Sequence, residues 1–348
     1  MTKQVMVGGV PIGGGAPVSV QSMTNTDTRD VQATLAQIRQ LAAAGCDLIR
    51  VAVPDQAAAE AVEEIKKDCP IPLICDIHFD YRLAIACIER GADKIRINPG
   101  NIGGQDRVRA VVRAARAHHV PIRVGVNAGS LEKAVLARYG GVTPEGLCES
   151  AMSEVALLEA MDFEDIVVSL KSSDVVLNTK ACRMMHQMVD YPLHIGVTEA
   201  GTPAASLVKS AAGLGALLLE GIGDTMRVSM TGDPLPEVHA AQQILEVCGR
   251  RRAPVEIISC PTCGRTQVDL VRLVEQVEAA VRSITPSHPL KVAVMGCEVN
   301  GPGEAAGADL GVACGKGRGV LFAHGAIQRT VTEEEIVPAL VEMIRSFT

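Results

Sequence analysis

VSVQSMTNTDTRDVQATLAQIRQLAAAGCDLIRVAV, residues 18–53, contains one complete strand–helix–strand unit. Its two ends, VSVQSM and LIRVAV, are short runs of apolar and β-branched residues that are typical of buried strands. The Ala-rich stretch between them, residues 31–45, has the apolar spacing of an amphipathic helix, and Gly45 is placed to end that helix. The stretch therefore predicts two parallel strands joined by a helix.

The same unit recurs along the first two-thirds of the chain. Runs of this type occur at residues 18–23, 48–53, 72–78, 94–99, 122–127, 166–171, 193–198 and 225–230. Eight strands separated by helices favour a closed (β/α)8 TIM barrel over an open doubly wound sheet. The glycines at 13–15 precede the first strand, so they indicate a turn and not a dinucleotide fingerprint. Residues 129–165 are long enough for an additional helix.

The pattern changes after the stretch TGDPLPE, in which Pro234 and Pro236 indicate a linker. We therefore predict a substrate-binding barrel at residues 1–236 and a small α+β domain at residues 237–348. Within the second domain the sequence predicts helices at 238–248, 266–283 and 332–346. It predicts strands at 255–259, 290–296, 309–313 and 319–323.

The composition limits the class of function. The formal charge of −7 and an aromatic content of 2% argue against a protein that coats nucleic acid, which needs excess Lys and Arg. No apolar run is long enough to span a bilayer, and the first residues lack the apolar core of a signal peptide. The 11 Cys of such a chain indicate reduced thiols rather than disulfides. We expect a soluble cytoplasmic protein.

Cationic side chains occur near the ends of five predicted strands, where proteins of this fold carry their catalytic groups. They are Arg50, Arg96, Arg123, Lys171 and Arg227. In an acidic protein this cluster predicts a local site for a compact, multiply charged anion such as phosphate or diphosphate. The alternative is a set of structural ion pairs with Asp76, Glu199 and Asp224.

Polar residues at the same level of the barrel could orient a hydroxylated substrate. They are Ser22, His78, Asn98, Asn127, Thr198 and Ser229. For His78 alone, an ordinary hydrogen-bonded histidine is the simpler interpretation. Glu199 could relay a proton or stabilise developing positive charge.

Three cysteines and one glutamate in the second domain suggest a metal site. Cys260 and Cys263 form a CxxC pair, Cys297 supplies a third thiol, and Glu304 follows seven residues later. Three thiolates and a carboxylate suit an iron–sulfur cluster in which one iron keeps a displaceable ligand. Cys314 is the rival fourth ligand, and it would instead complete a closed site of four thiolates for zinc or for a purely electron-carrying cluster.

Motifs along nearly the whole chain resemble one family. The chain is similar to the 4-hydroxy-3-methylbut-2-en-1-yl diphosphate synthases of the methylerythritol phosphate route to isoprenoids. The motifs are VSVQSMTNTDT, LIRVAVP, CDIHFDYRLA, KIRINPGNIG, IRVGVNAGSLE, VSLKSSD, GVTEAGT, KSAAGLGALLLEGIGDTMRVSMTGDP, ISCPTCGRT and MGCEVNGPGE.

The resemblance implies an iron–sulfur oxidoreductase. The barrel would be followed by a ferredoxin-like or sulfite-reductase-like domain with a [4Fe-4S] cluster on Cys260, Cys263, Cys297 and Glu304. The reaction would be the two-electron reductive ring opening and dehydration of 2-C-methyl-D-erythritol 2,4-cyclodiphosphate to the allylic diphosphate. Flavodoxin or ferredoxin would supply the electrons, and each cluster would cap the barrel of the partner in a head-to-tail homodimer.

The resemblance also implies roles for the residues at the barrel mouth. The diphosphate would be held by Arg50, Arg96, Arg123, Lys171, Arg227 and Ser229, with help from Asn98 and Asn127. Thr198 would contact the substrate, and Glu199 would act near the reacting carbons.

Two other interpretations of the residues lead to different functions. One is a redox-silent transferase, related in architecture to pterin-binding barrels, with a zinc-stabilised tail. The other is an inactive barrel beside an electron-carrier or docking module. The five cations at the mouth and Glu304 near the thiols argue against the second of these.

Overall fold

The computed structural model describes residues 1–282, 284–298, 305 and 307–347. These residues form two compact units, Met1–Arg251 and Arg252–Thr348.

The first unit is built on eight parallel strands that follow one another around a barrel. The strands are β3 (Ser19–Met23), β4 (Leu48–Ala52), β5 (Leu73–Asp76), β6 (Lys94–Ile97), β7 (Ile122–Asn127), β8 (Ile166–Lys171), β9 (His194–Gly196) and β10 (Thr225–Arg227). Strand β10 pairs with β3, and the gap between β8 and β9 is bridged at Val168 and Leu193. The predicted (β/α)8 barrel is confirmed.

Helices cover the outside of the barrel between the strands. They are α1 (Val31–Ala43), α2 (Gln56–Asp68), α3 (Tyr81–Glu89), α4 (Gln105–Ala117), α5 (Lys133–Tyr139), α6 (Pro144–Glu159), α7 (Val175–Met188) and α8 (Pro203–Leu219). Aspartate side chains accept backbone N–H groups at the N-termini of α1, α2, α3 and α7, so the sequence fixes where these helices begin. Gly45 follows α1 with φ +88°, in the left-handed region, as predicted.

The connection between β7 and β8 contains two helices, α5 and α6, where the sequence predicted room for one extra helix. Helix α6 packs on the barrel, and its buried face includes Glu154.

An N-terminal hairpin that the sequence analysis missed lies at the N-terminal end of the barrel. Its strands are β1 (Val5–Val7) and β2 (Val10–Ile12). Val7 and Ile12 form an apolar cluster with Leu48 and Ile74, which lie near the starts of two barrel strands. Each hairpin strand has only three residues, too few for its alternation to stand out in the sequence.

Helix α9 (Leu235–Val247) belongs to the barrel unit. Its buried residues Val238, Ala241 and Leu245 are part of the barrel core. The division between units therefore falls after Arg251, and not at residue 236 where the two prolines suggested it. Pro234 caps the start of α9 and Pro236 lies in its first turn, a position that helices tolerate.

The second unit is a five-stranded sheet with helices. Its strands run in the order β11 (Val255–Ser259), β12 (Leu290–Met295), β13 (Leu310–Gly315), β14 (Arg318–Ala323) and β15 (Ala326–Thr332). The first three are parallel and the last two are antiparallel to their neighbours. Helices α10 (Leu270–Val281) and α11 (Ile336–Arg345) pack on this sheet. The small α+β domain is confirmed, but β15 was missed because its residues are mostly exposed and polar.

Candidate active site at the barrel mouth

Four of the five predicted cations are buried inside the barrel. Arg50, Arg96, Arg123 and Lys171 are all buried, and Arg227 is half-buried. The strand register places Arg96 of β6 beside Arg123 of β7. Because side chains alternate along a strand, these positions share the inner face of the barrel.

Asp76 of β5 is the carboxylate at the centre of this cluster. Its oxygens lie 3.5 Å from Arg50 Nη1 and 3.1 Å from Arg96 Nη1. Burial alone would raise the pKa of Asp76, but the attraction of Arg50, Arg96 and Arg123 outweighs it and lowers the pKa to about 2. Asp76 is therefore a structural ion-pair partner, as the alternative interpretation of the cations expected.

Arg227 has a partner that the sequence analysis did not identify. Glu237, a buried residue of α9, accepts hydrogen bonds from Arg227 at 3.2–3.3 Å and from the Met230 N–H at 2.9 Å. Burial raises the pKa of Glu237, although Arg227 opposes this shift. The sequence placed Glu237 in the next domain, so its pairing with a strand-end arginine could not be anticipated.

Arg50 and Arg227 also contact a methionine. The Arg50 guanidinium donates to Met23 Sδ at 2.9 and 3.2 Å, and Arg227 Nη1 lies 3.7 Å from the same sulfur. A thioether is only a weak acceptor. These donors thus retain capacity for a stronger acceptor.

Arg123 and Lys171 have no carboxylate partner among residues 1–251, all of which the structure describes. Arg123 is only 1% exposed, and its Nε and Nη1 atoms make no hydrogen bond to any residue that the structure describes. Burial, followed by repulsion from Arg50 and other cations, lowers the pKa of both groups well below their usual range. A buried cation without a counter-charge is costly, and an anion at the mouth would remove that cost.

Two further basic residues lie inside the barrel and were missed in the sequence. Lys94 is fully buried on β6, two positions before Arg96, and its Nζ atom has no hydrogen-bond partner in the described residues. His194 Nε2 lies 3.2 Å from Lys171 Nζ, and its Nδ1 lies 3.4 Å from Thr225 Oγ1. Burial, then Lys171, lowers the pKa of His194 well below its usual range. The two-residue alternation on β6 was a signal that could have revealed Lys94.

The remaining polar candidates lie at or beyond the ends of the strands. Asn98 is buried, and Asn127, Thr198 and Ser229 are half-buried. His78 is exposed, with its ring nitrogens 3.8 Å from Asp76 Oδ1 and 3.4 Å from Arg96 Nη1. These groups border the cation cluster on its outer side.

Glu199 and Asp224 do not act as the ion-pair partners that the alternative interpretation required. Glu199 is exposed on the turn after β9, in a left-handed conformation with φ +52°. Asp224 instead accepts from the Leu193 N–H and from Thr2 Oγ1, both at 2.8 Å, at the opposite end of the barrel. The strained turn directs attention to Glu199 as a functional residue.

In the second unit, two of the predicted metal ligands lie at neighbouring strand ends. Cys260 follows β11 and Cys297 lies just beyond β12, its parallel neighbour. The Gly296 N–H donates to Cys260 Sγ at 3.3 Å, so the two segments are adjacent. Cys263 is exposed on the following turn. Cysteine ligands of this type fit an iron–sulfur cluster, which is held by thiolates and tuned by hydrogen bonds to sulfur.

The other members of the predicted ligand set are less well defined. Glu304 lies outside the described residues, and within them no group of three His, Cys, Asp or Glu is arranged to hold a metal. Cys314 of β13 is part of the apolar core, and burial raises its pKa to about 12. Its surroundings are those of a core thiol.

Comparison with known proteins identifies the family. The GcpE TIM-barrel domain matches residues 2–242, and the GcpE protein C-terminal domain matches residues 256–346. This chain belongs to the GcpE family. Relatives named 4-hydroxy-3-methylbut-2-en-1-yl diphosphate synthase (flavodoxin) occur in Caldanaerobacter subterraneus and Thermodesulfovibrio yellowstonii. Each is 55% identical over 344 residues, which is 99% of this chain and 96% and 98% of the relatives. The resemblance found in the sequence is confirmed.

Two solved structures of other enzymes resemble the barrel of this chain in fold. The dihydropteroate synthase of Yersinia pestis matches with a TM-score of 0.50 and 12% identity over 72% of this chain and 100% of its own. The phospho-2-dehydro-3-deoxyheptonate aldolase of Thermotoga maritima matches with a TM-score of 0.50 and 9% identity over 72% of each chain. At this identity the likeness supports the barrel and carries no activity over. Among the described residues, no helix has both the length and the apolar character needed to cross a membrane.

Proposed function

We propose that this chain is an iron–sulfur oxidoreductase that opens and dehydrates 2-C-methyl-D-erythritol 2,4-cyclodiphosphate by two-electron reduction. The product is 4-hydroxy-3-methylbut-2-enyl diphosphate, an isoprenoid precursor. Relatives with 52–55% identity bear the name of the enzyme that makes this product. The observation in this chain that supports the assignment most directly is the buried excess of positive charge at the barrel mouth.

In this proposal the diphosphate enters the gap among the uncompensated cations. Arg50, Arg96, Arg123, Lys171 and Arg227 bind its oxygens. Arg123 contributes its two unpaired nitrogen donors, and Arg50 and Arg227 exchange the weak methionine acceptor for phosphate oxygens. Asp76 keeps Arg50 and Arg96 aligned while the anion binds.

The outer polar groups then orient the carbon skeleton. Asn98, Asn127, Thr198 and Ser229 border the cations and supply donors and acceptors for the bridging oxygens and hydroxyl groups. Loss of the hydroxyl group as water requires a proton. Glu199 is a carboxyl group beside the mouth that is open to solvent and has no ion-pair partner in the described residues, which suits a proton relay near the reacting carbons.

We propose a [4Fe-4S] cluster on Cys260, Cys263, Cys297 and Glu304. When bound, this group supplies the electrons and a Lewis-acidic iron. Flavodoxin is the proposed electron donor, because the name appears in the descriptions of the relatives. Since the reaction needs the cluster and the barrel in one site, we also propose a head-to-tail homodimer in which each cluster caps the partner's barrel.

Anaerobic purification followed by turnover tests this function. Protein with about four irons per chain that converts the cyclodiphosphate with reduced flavodoxin would support it. Protein that binds about one zinc after attempted reconstitution, and that leaves the cyclodiphosphate unchanged, would contradict it and favour the zinc-stabilised transferase.

A matched pair of cysteine variants tests the ligand set. Cys263→Ala removes an exposed thiol, and we expect it to lose most of the iron. Cys314→Ala removes a core thiol, and we expect it to keep the iron while the protein unfolds at a lower temperature. Loss of iron in Cys314→Ala alone would make Cys314 the fourth ligand.

A further inference from the structure

One buried carboxyl group beside the mouth is not used by the proposed mechanism. Glu154 of α6 is 4% exposed, and neither of its carboxyl oxygens has a hydrogen-bond partner in the described residues. Buried polar groups are normally paired, because an unpaired one retains its full desolvation cost. A buried carboxyl group without a hydrogen-bond partner therefore calls for a structural or functional explanation.

Asn98 carries a second orphan oxygen. Asn98, in the loop after β6, is 8% exposed, and its Oδ1 atom has no hydrogen-bond partner in the described residues. A side-chain carbon placed on Gly100 would lie 3.2 Å from Asn98 Oδ1 and 3.5 Å from Glu154 Oε1. The two oxygens therefore border the same small space. An amide oxygen and an ionised carboxylate only accept, so they can bond only if the carboxyl group carries a proton.

The surroundings of Glu154 favour that proton. Burial, then the neighbouring Glu132 carboxylate, raises the pKa of Glu154 to about 8, against the opposing attraction of Arg96 and of the nearby Gly100 backbone N–H. Glu132 accepts hydrogen bonds from Ser150 Oγ at 2.9 and 3.0 Å. Glu132 and Arg96 are the charged groups that act on Glu154 from the loop before α5 and from β6.

We propose that Glu154 is a positioning residue for Asn98. Its protonated carboxyl group donates to Asn98 Oδ1 and so turns the Asn98 amide N–H groups toward the bound diphosphate. This inference rests on the proposed function, because it assigns Asn98 to that substrate. Glu154 does not touch the substrate and acts through the orientation of one amide.

Four variants and a control test the role by calorimetric binding of the cyclodiphosphate to the full chain. Glu154→Met keeps the length of the side chain but cannot donate, so we expect the dissociation constant to rise about tenfold. Glu154→Gln restores a donor, and we expect its affinity to stay within about twofold of wild type. The control, Glu145→Gln, changes an exposed carboxylate of the same helix and should bind as wild type does.

The remaining variants ask whether Glu154 acts through Asn98. In an Asn98→Ala background, Glu154→Met should have almost no further effect, because the amide that it orients is absent. Equal losses in both backgrounds would overturn the proposal.

The pH dependence gives a second readout that needs no disruptive variant. In wild type the affinity should fall as pH rises above about 8, because ionised Glu154 can no longer donate. Glu154→Gln should remove this fall. An affinity that is flat or rises over the same range would mean that an ionised Glu154 accepts from Asn98, and the proposal would be wrong. Wild-type protein that does not bind the cyclodiphosphate at any pH would overturn the proposed function as well.

Discussion

The two ends of the barrel differ in how their polar groups are paired. At the N-terminal end, each of three aspartates precedes a strand and accepts a backbone N–H at or next to the start of the neighbouring strand, at 2.7–2.8 Å. The aspartates are Asp47, Asp93 and Asp224, and their donors are Val20, Leu73 and Leu193. At the C-terminal end, donors of Arg123 and acceptors of Asn98 and Glu154 have no partner in the described residues.

The contrast indicates that the N-terminal end contributes mainly to stability and the C-terminal end mainly to function. At the N-terminal end the three aspartates pair backbone N–H groups at the strand starts, and an apolar hairpin packs against that end. In the described residues the C-terminal end keeps unpaired donors and acceptors, as expected for the face of a TIM barrel that carries the active site, and we propose that an anion pairs with its donors. The second unit repeats the stabilising device, since Asp309 precedes β13 and accepts the Lys291 N–H of β12 at 2.7 Å.

The largest effect should come from Arg123→Met at the C-terminal end. We expect affinity for the cyclodiphosphate to fall by roughly 100-fold or more, because charge-assisted hydrogen bonds to the diphosphate are lost. Titration calorimetry measures this change. Unchanged affinity would show that the anion does not bind at Arg123.

Asp224→Ala at the N-terminal end should lower the stability of the protein and leave its affinity for the ligand unchanged. It leaves the Leu193 N–H and the Thr2 hydroxyl without their acceptor, so we expect the free energy of unfolding to fall by about 2 kcal/mol. Affinity for the cyclodiphosphate should not change. Chemical denaturation and calorimetry on the same preparation would show whether the two properties separate.

Asp76 lies at the C-terminal end but is paired with Arg50 and Arg96, so it should influence both the free energy of unfolding and the affinity for the anion. Its folded-state pKa of about 2 lies below the ordinary value of 3.8, so its ionised form contributes about 2 kcal/mol at neutral pH. That contribution is present above about pH 4 and is lost as pH falls toward 2. Asp76→Asn should weaken this part of the acid destabilisation, which denaturation at several pH values would measure.

The smallest effect is expected for Glu237→Gln. The amide keeps a hydrogen bond to Arg227 but removes the negative charge, so Arg227 is freer to bind the anion. We therefore expect the dissociation constant of the cyclodiphosphate to fall, but only by about threefold. A change as large as that of Arg123→Met would mean that Glu237 contacts the ligand itself.

Local patterns predicted most of the fold. The alternation of strands and helices was strong enough to give the barrel and its order, and Gly45 marked the end of α1. The hairpin β1–β2 and strand β15 were missed because they are short or exposed, so neither has a clear apolar alternation. The boundary between units depended on α9, whose attachment to the barrel is a tertiary contact.

The site was predicted less completely, for a physical reason. Strand-end positions identified the five cations, but partners such as Glu237, His194 and Met23 come from distant segments. Glu154 gave no signal, because a glutamate in a helix is usually on the solvated face. Only the packing of α6 against the barrel makes this residue exceptional.

The central claim is that the barrel mouth holds buried charges that only an anion compensates. Thermal unfolding of wild type and Arg123→Met, each with and without the cyclodiphosphate, tests it most directly. We predict that ligand raises the unfolding temperature of wild type, whereas Arg123→Met unfolds at a higher temperature without ligand and responds much less to the same ligand concentration. A variant that is less stable than wild type and is still stabilised by the ligand to the same extent would contradict the account.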